Sequence, residues 1–197
     1  MNKTLLAIIG GAVVVVVGFV GYKAMRLKSE AAKWSGPQRE IAEEAIVHDG
    51  SVTTSRFVTI IDAPIARVEA IVWNVEGLQQ MVPNFKLSKL LESEPNRKKV
   101  EIAIQALTLP TLSYEMEFVI DRDAHRVTFK TVKSQAQDIE GEYQLQASPD
   151  GSKTRLEYKT VARDKVAVPF PQSVLDGAAR ETFVNTARAI QKMVKPS

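Results

Sequence analysis

Seven strand-like segments, followed by one long amphipathic segment, constrain the fold of this chain more than any other feature. The first covers 51–62, and six more follow in a meander with short turns, at about 86–93, 98–107, 112–121, 125–133, 138–148 and 153–165. Within 112–121, apolar side chains alternate with Ser113, Glu115 and Glu117. Because such alternation buries only one face of a strand, the pattern predicts an antiparallel sheet with a single apolar face.

Three helices are predicted beside this sheet. Two short helices, at 65–75 and 76–81, follow the first strand and end before Val82-Pro83. The third covers about 171–194 and carries a mostly apolar stripe, formed by Leu175, Ala178, Ala179, Thr182, Phe183, Ala187, Ile190 and Val194. Since only the third helix is long enough to cover the apolar face, we expect an α+β fold in which a curved sheet wraps around it.

Several short motifs occur along 51–194 in a fixed order. They are Ile61-Asp62-Ala63-Pro64, Ala66-Arg67-Val68, Asn74-Val75-Glu76-Gly77-Leu78, Val82-Pro83, Gly141-Glu142-Tyr143-Gln144-Leu145 and Asp150-Gly151-Ser152-Lys153-Thr154-Arg155-Leu156. In this ordered set the chain resembles the START-like, polyketide-cyclase/dehydrase superfamily (SRPBCC), and it is similar to both the coenzyme-Q-binding and the cyclase-like branches. The resemblance implies the helix-grip fold, a seven-stranded antiparallel sheet around a long C-terminal helix.

The N-terminal segment 5–22 contains eighteen residues without a charge. As a helix it would be about 27 Å long, close to the hydrocarbon thickness of a bilayer. Bulky and basic residues follow it directly instead of a small-residue cleavage site, which favours an uncleaved anchor over the alternative, a cleaved signal peptide. Lys23, Arg26, Lys28 and Lys33 follow the span, so the C-terminal domain is predicted to be cytoplasmic, with the periplasm as the alternative.

These features divide the chain into three parts. Residues 1–28 form the predicted membrane anchor, 29–50 a juxtamembrane linker, and 51–197 the START-like domain. In the linker, Ser35-Gly36-Pro37 is a plausible helix start, and an apolar stripe through Ile41 and Ile46 predicts a short helix that ends at Asp49-Gly50.

Composition excludes several classes of function. The chain has no cysteine, which rules out disulfides, thiolate zinc sites and a cysteine nucleophile. It has only two histidines. Five of the 26 basic residues but one of the 23 acidic residues lie in 1–33, so the remainder is nearly neutral and no nucleic-acid partner is expected. His48 and His125 are predicted to be solvated surface residues, and we expect no catalytic residue, metal or cofactor.

In a meander, successive turns fall alternately at the two ends of the sheet. One end receives the charged turns at 93–99, 121–126 and 148–153, and the other receives 81–85, 106–112, 134–138 and 166–172. The second end carries many apolar side chains, namely Val82, Phe85, Leu107, Leu109, Leu112, Val168 and Phe170. They predict the apolar rim of a pocket mouth that can touch a bilayer or an apolar ligand; the alternative is that they fold inward and plug the core.

A pocket behind this mouth would be lined by inward strand residues and by small residues of the long helix. The candidates are Tyr114, Met116, Phe118, Phe129, Tyr143, Leu145, Tyr158, Ala178, Ala179 and Phe183, with Arg56 as a polar anchor if its side chain turns inward. Buried tyrosine hydroxyls need hydrogen-bond partners, so Tyr114, Tyr143 and Tyr158 could orient the polar end of a ligand.

Three functions are compatible with the sequence. The leading hypothesis is a membrane-tethered protein that binds, with or without transfer between membranes or proteins, a hydrophobic small molecule such as a lipid, an isoprenoid quinone or a sterol-like compound. The second is a cyclase- or dehydratase-like enzyme that acts on a polyketide-type substrate. The third is a scaffold without a cavity, whose apolar loops hold a partner protein.

Overall fold

The computed structural model describes Trp34 and residues 40–167 and 169–195. The chain divides into two compact units, Met1–Pro37 and Gln38–Ser197. The predicted anchor at 5–22, and with it the predicted side of the membrane, lies outside the described residues. Within the described ranges, no helix combines the length and the apolar character needed to cross a bilayer.

The unit Gln38–Ser197 contains eight strands and three helices in its described part. The strands are β1 (Glu43–Asp49), β2 (Val52–Ile61), β3 (Phe85–Glu94), β4 (Arg97–Ile104), β5 (Leu112–Asp121), β6 (Arg126–Lys133), β7 (Gln137–Ala147) and β8 (Thr154–Asp164). The helices are α1 (Ile65–Trp73), α2 (Leu78–Met81), which follows a 3-10 turn at Val75–Gly77, and α3 (Gln172–Met193). The predicted strands 51–165 and the three helices predicted beside the sheet are confirmed, with small shifts at their ends.

All strands form one antiparallel sheet in the order β1-β2-β8-β7-β6-β5-β4-β3. The sheet therefore has eight strands, and the predicted number of seven was wrong. The extra strand, β1, lies where a juxtamembrane helix was predicted. It pairs with β2 from Glu43↔Val58 to Asp49↔Val52, and Gly50, with φ of +60°, makes the turn between them.

The error at β1 has a physical cause. Six of the seven residues of β1 are exposed, so the strand shows no apolar alternation that would distinguish it from a helix. Asp-Gly is a strong hairpin signal because the glycine adopts positive φ without strain. Asp49-Gly50 was interpreted as a helix end, whereas it is the turn of the β1–β2 hairpin.

The apolar core lies at the end of the sheet that carries the charged turns. There α1 and the last turns of α3 close over the strands, and Ile61, Val68, Leu156 and Ile190 are at most 3% exposed. The Thr154 hydroxyl, itself fully buried, donates to the carbonyl oxygen of Ala63 at 2.7 Å. Ile61, Val68 and Leu156 make this the solid end of the domain, whereas α3 borders internal space along most of its length, from Gln172 to Ile190.

Candidate functional site

A cavity of about 480 Å³ lies between the inner face of the sheet and α3. Its walls come from β2, from β4 to β8, from all three helices, and from the loops at the predicted mouth. The volume falls within the range of ligand pockets, roughly 300–1,000 Å³. The cavity exists because Ala178 and Ala179 of α3 are too short to reach the strands opposite.

Nine of the eleven predicted lining residues face this cavity. They are Tyr114, Met116, Phe118, Phe129, Tyr143, Tyr158, Ala178, Ala179 and Phe183. The two exceptions are Leu145 and Arg56. Leu145 points inward but is 2% exposed within the solid core, beyond the cavity.

Arg56 lies on the outer face of the sheet, so its assignment as an internal polar anchor was wrong. Its guanidinium donates to Glu157 at 2.6 Å and to Glu43 at 2.8 Å. The neighbours Ser55 and Phe57 point inward to the cavity, and strand alternation therefore turns Arg56 outward. The ion pairs with two carboxylates account for that orientation.

A cluster of stacked and tilted aromatic rings forms one wall of the cavity. Phe129 contacts Phe118, Tyr143 and Tyr158, with ring centroids 5.6–5.8 Å apart. Phe57 and Phe183 stack at 5.1 Å and continue the cluster onto α3. Gly141 makes room for it: a Cβ atom there would lie 2.2 Å from the carbonyl oxygen of Lys159 and 2.7 Å from the Phe129 ring. The Phe129 ring thus lies directly against the backbone of β7.

The three tyrosines have their hydroxyls in an environment that keeps them protonated. Burial raises the pKa of Tyr143 and Tyr158 well above the usual value. Burial also raises the pKa of Tyr114, and the charges of Tyr158 and Asp164 add to that effect. Tyr143 and Tyr158 are only half-buried, because part of each side chain borders the cavity. They can donate hydrogen bonds but are poorly suited to act as bases.

A polar row that was not predicted from the sequence runs across the wall near the mouth. The Tyr114 hydroxyl donates to Oε1 of Gln137 at 3.3 Å, and Nε2 of Gln137 donates to Oδ1 of Asp164 at 2.7 Å. All three residues line the cavity. Alternation was the signal that could have found them: Gln137 shares a strand face with Tyr143, and Asp164 with Tyr158.

The predicted mouth segments meet at one end of the cavity. Val82, Phe85, Leu109, Leu112 and Phe170 line it, whereas Leu107 is 48% exposed beside Gly177 of α3. Val168 lies outside the described residues. The two interpretations of these side chains each hold in part: Val82 is buried, Leu107 is exposed, and open space remains behind them.

Polar contacts tie the mouth loops to α3. Glu181 accepts hydrogen bonds from the backbone N–H of Leu107 at 2.7 Å and from Nδ2 of Asn84 at 3.2 Å. Asn84 is 4% exposed, and its Oδ1 accepts from Asn185. No sequence pattern indicated these contacts, because the residues that make them lie roughly 70 to 100 positions apart.

Both histidines lie at the surface, as predicted: His48 is exposed and the His125 side chain is 44% exposed. Each also contacts a polar partner. The His48 ring lies 3.1 Å from both the Thr53 hydroxyl and Asp176 at the mouth. The His125 ring lies 2.8 Å from Glu69 at the solid end. No three His, Asp or Glu side chains of the described ranges converge on a point where a metal ion could bind.

Residues 61–190, more than half of the chain, match the family model described as polyketide cyclase / dehydrase and lipid transport. No curated protein matches the chain. Among solved structures, the chain is similar to the Zhui aromatase/cyclase from Streptomyces sp. R1128, with 13% identity, a TM-score of 0.64, and coverage of 73% of this chain and 93% of that one.

Two further structures show the same likeness. The protein TTHA0849 from Thermus thermophilus has 17% identity and a TM-score of 0.62, with 72% of this chain and 96% of that one covered. A STAR-related lipid transfer protein fragment from Xanthomonas axonopodis has 12% identity and a TM-score of 0.57, with 78% and 99% covered. At these identities the likeness concerns the fold.

The likeness covers the Streptomyces and Thermus chains almost whole. In this chain, Gln38–Ser197 is a compact unit that contains all of the strands and helices described above. The helix-grip architecture, the internal cavity and the match over 61–190 agree with one another. The chain therefore belongs to the polyketide cyclase / dehydrase and lipid transport family.

Proposed function

We propose that this protein is a membrane-tethered binding protein that holds a hydrophobic small molecule in its internal cavity. The cavity itself is the observation that carries the proposal. A space of about 480 Å³ is lined by aromatic and aliphatic side chains, with a small group of polar atoms at one wall. Binding sites for apolar molecules have this composition, since burial drives affinity and a few polar groups fix orientation.

The names of similar proteins support the same class of ligand. The family description includes lipid transport, and one similar structure is named a lipid transfer protein while another is named an aromatase/cyclase. Between these, the side chains of the described cavity favour binding. The tyrosines are held protonated, and no histidine of the described residues lines the space.

Tethering belongs to the proposal because of the apolar segment 5–22. An anchor of that length would keep the domain close to lipid, with the cytoplasm as the proposed side. The exposed Leu107 and Val166 near the cavity mouth would then allow an apolar molecule to pass between the bilayer and the cavity without crossing much water.

The binding proposal is tested with residues 38–197 purified from the native host, followed by solvent extraction and mass spectrometry. We expect an apolar compound to co-purify with the wild type. Ala179→Phe fills the cavity from α3 and should abolish co-purification, whereas Lys192→Phe, on an exposed position of the same helix, should retain it. A wild-type domain that carries nothing apolar would contradict the proposal.

A second experiment separates binding from catalysis. The extracted compound is added back to the domain, incubated and extracted again. Recovery of an unchanged mass supports binding, while a loss of water or a new ring in the product would favour the cyclase- or dehydratase-like alternative.

The tether is tested by fractionation of cells that produce the full chain or residues 38–197. We expect the full chain to remain with the membranes after a carbonate wash and the shorter chain to be released. An intact mass that lacks roughly the first 20 to 30 residues, as expected for a cleaved signal peptide, would overturn the tether.

A further inference from the structure

We infer that the cavity selects an uncharged ligand whose polar end is a hydroxyl, such as a long-chain alcohol or a phenol, and rejects the corresponding carboxylate or phosphate. This inference rests on the proposed binding function and specifies its ligand class. Two independent features of the cavity carry it: the charge of its lining and the direction of its hydrogen bonds.

The charged side chains that line the described cavity are all acidic. In the described part of the chain, no Lys, Arg or His side chain lines the cavity, and the only carboxylates that do so are Asp164 and Asp176. Asp176 is paired with His48 at 3.1 Å, near the mouth. Asp164 accepts from the neutral amide of Gln137, so its negative charge faces the cavity and is not balanced there by any cation of the described residues.

The nearest cations in sequence point away from the cavity. Arg163 and Lys165 flank Asp164 on either side, and strand alternation at the end of β8 turns both outward. Arg163 binds Glu140 at 2.8 Å, and Lys165 binds Asp138 at 2.6 Å. An anionic ligand head beside Asp164 would therefore lose its hydration, gain no counter-charge and meet a like charge.

The hydrogen bonds of the polar row all run in one direction. A carboxylate can only accept, so the amide nitrogen of Gln137 must face Asp164 and the amide oxygen must face Tyr114. The Tyr114 hydroxyl therefore donates its single proton to the amide oxygen of Gln137. Within this row, the atoms left for a ligand are the lone pairs of Tyr114 and the second oxygen of Asp164, which are acceptors.

A ligand complementary to this row has to supply a donor. An alcohol or phenol does so without carrying charge into an aromatic cavity, whereas an ester supplies only acceptors and a carboxylate adds a negative charge. The expected order of affinity is alcohol, then ester, then carboxylate, for one hydrocarbon chain.

The test uses residues 38–197 at pH 8 with Nile red, an uncharged apolar dye, as the displaced probe. Competitors are dodecan-1-ol, methyl dodecanoate and dodecanoate, all below their aggregation concentrations. We expect dodecan-1-ol to displace the dye at a concentration at least about tenfold lower than dodecanoate, with the methyl ester between them.

Asp164→Asn tests the origin of that order. Removing the charge should improve dodecanoate binding several-fold and reduce the preference for the alcohol. Asp138→Asn makes the same change on the outer face, next to the same strand end, and should leave the order unchanged. If Asp164→Asn does not fold, the order measured for the wild type and for Asp138→Asn decides the matter.

The outcomes separate the two proposals. Dodecanoate that binds as tightly as dodecan-1-ol, or more tightly, overturns the selectivity and leaves the binding function intact. Failure of Nile red and of all three competitors to bind overturns the binding function, and the selectivity with it.

Discussion

The two faces of the same sheet differ almost completely in charge. On the outer face, Arg97 and Lys130 both bind Glu117 at 3.0 Å, while Arg56 and Arg155 both bind Glu157, at 2.6 and 2.7 Å. On the inner face, the same strands present Phe, Tyr, Met and Val side chains. Strand alternation alone keeps these environments apart, at a distance of one residue.

This difference shows where each face obtains its stability. Ion pairs on the outer face are open to water and are individually worth about 0–1 kcal/mol, except where burial and several partners combine, as at Glu157. The inner face is stabilised by apolar burial, at roughly 1.5–3 kcal/mol for each large side chain. Side chains that border the cavity are packed on one side only, so they contribute less than this. A bound apolar molecule would complete the packing.

The largest effect on stability is expected at alkaline pH, and it comes from the inner face. Residues 38–197 contain three tyrosines, all on the inner face, and the pKa of each is raised. The unfolded chain ionises first, so stability should fall as the pH rises above about 10. We expect ultraviolet titration to show no tyrosine that ionises normally; phenolate absorbance should appear together with the loss of structure measured by circular dichroism. A reversible step near pH 10 in the folded protein would contradict this.

Gly141→Ala tests the packing of the inner face. The new methyl group would collide with the backbone of β8 and with Phe129, so we expect a loss of about 2–3 kcal/mol in the free energy of unfolding. Denaturant titration followed by Trp73 fluorescence measures it. Gly177→Ala is the control, because its Cβ would lie 3.5 Å from Leu107, in ordinary contact. Equal effects at both glycines would refute the explanation.

Glu157→Gln tests the ion pairs of Glu157, a carboxylate of the outer face that is largely shielded from water. Burial opposes ionisation of Glu157, but hydrogen bonds from Arg155 and Arg56 outweigh it and lower its pKa from 4.5 to about 2. Its contribution is therefore present above pH 4.5 and is lost as the pH falls toward 2. We expect the variant to lose about 1–2 kcal/mol at pH 7 and to become less sensitive to acid over that window, as measured by denaturant titration at each pH. Glu140→Gln, with a more exposed carboxylate, should behave as wild type.

Lys133→Ala should have the smallest effect. Its ammonium group binds Glu115 at 3.3 Å, but the side chain is 78% exposed, and water screens the pair. We expect a change below about 0.5 kcal/mol in the free energy of unfolding. A loss above about 1 kcal/mol would show that exposed pairs of this face contribute more than the contrast between the two faces implies.

The regular strands of the fold could be predicted because their alternation is strong. Tyr114, Met116 and Phe118 were assigned to one face from spacing alone, and that face is the cavity wall. Strand β1 could not be predicted in this way, since its exposed residues carry no period and only pairing with β2 makes it a strand. For Arg56 the alternation was visible, but the partners that hold the side chain outside, Glu43 and Glu157, were not.

The sequence by itself determined the order of elements from residue 51 onward, the apolar face of the sheet and the clustering of apolar loops at one end, because these follow from local period and strand parity. Only the tertiary structure decided which inward residues border open space, as with Tyr158, and which fill the core, as with Leu145. The polar row of Tyr114, Gln137 and Asp164 was decided there as well. Which residues border the cavity depends on how far α3 stands from strands distant in the sequence, and the polar row depends on how the sheet brings the ends of β5, β7 and β8 together. No local pattern encodes either arrangement.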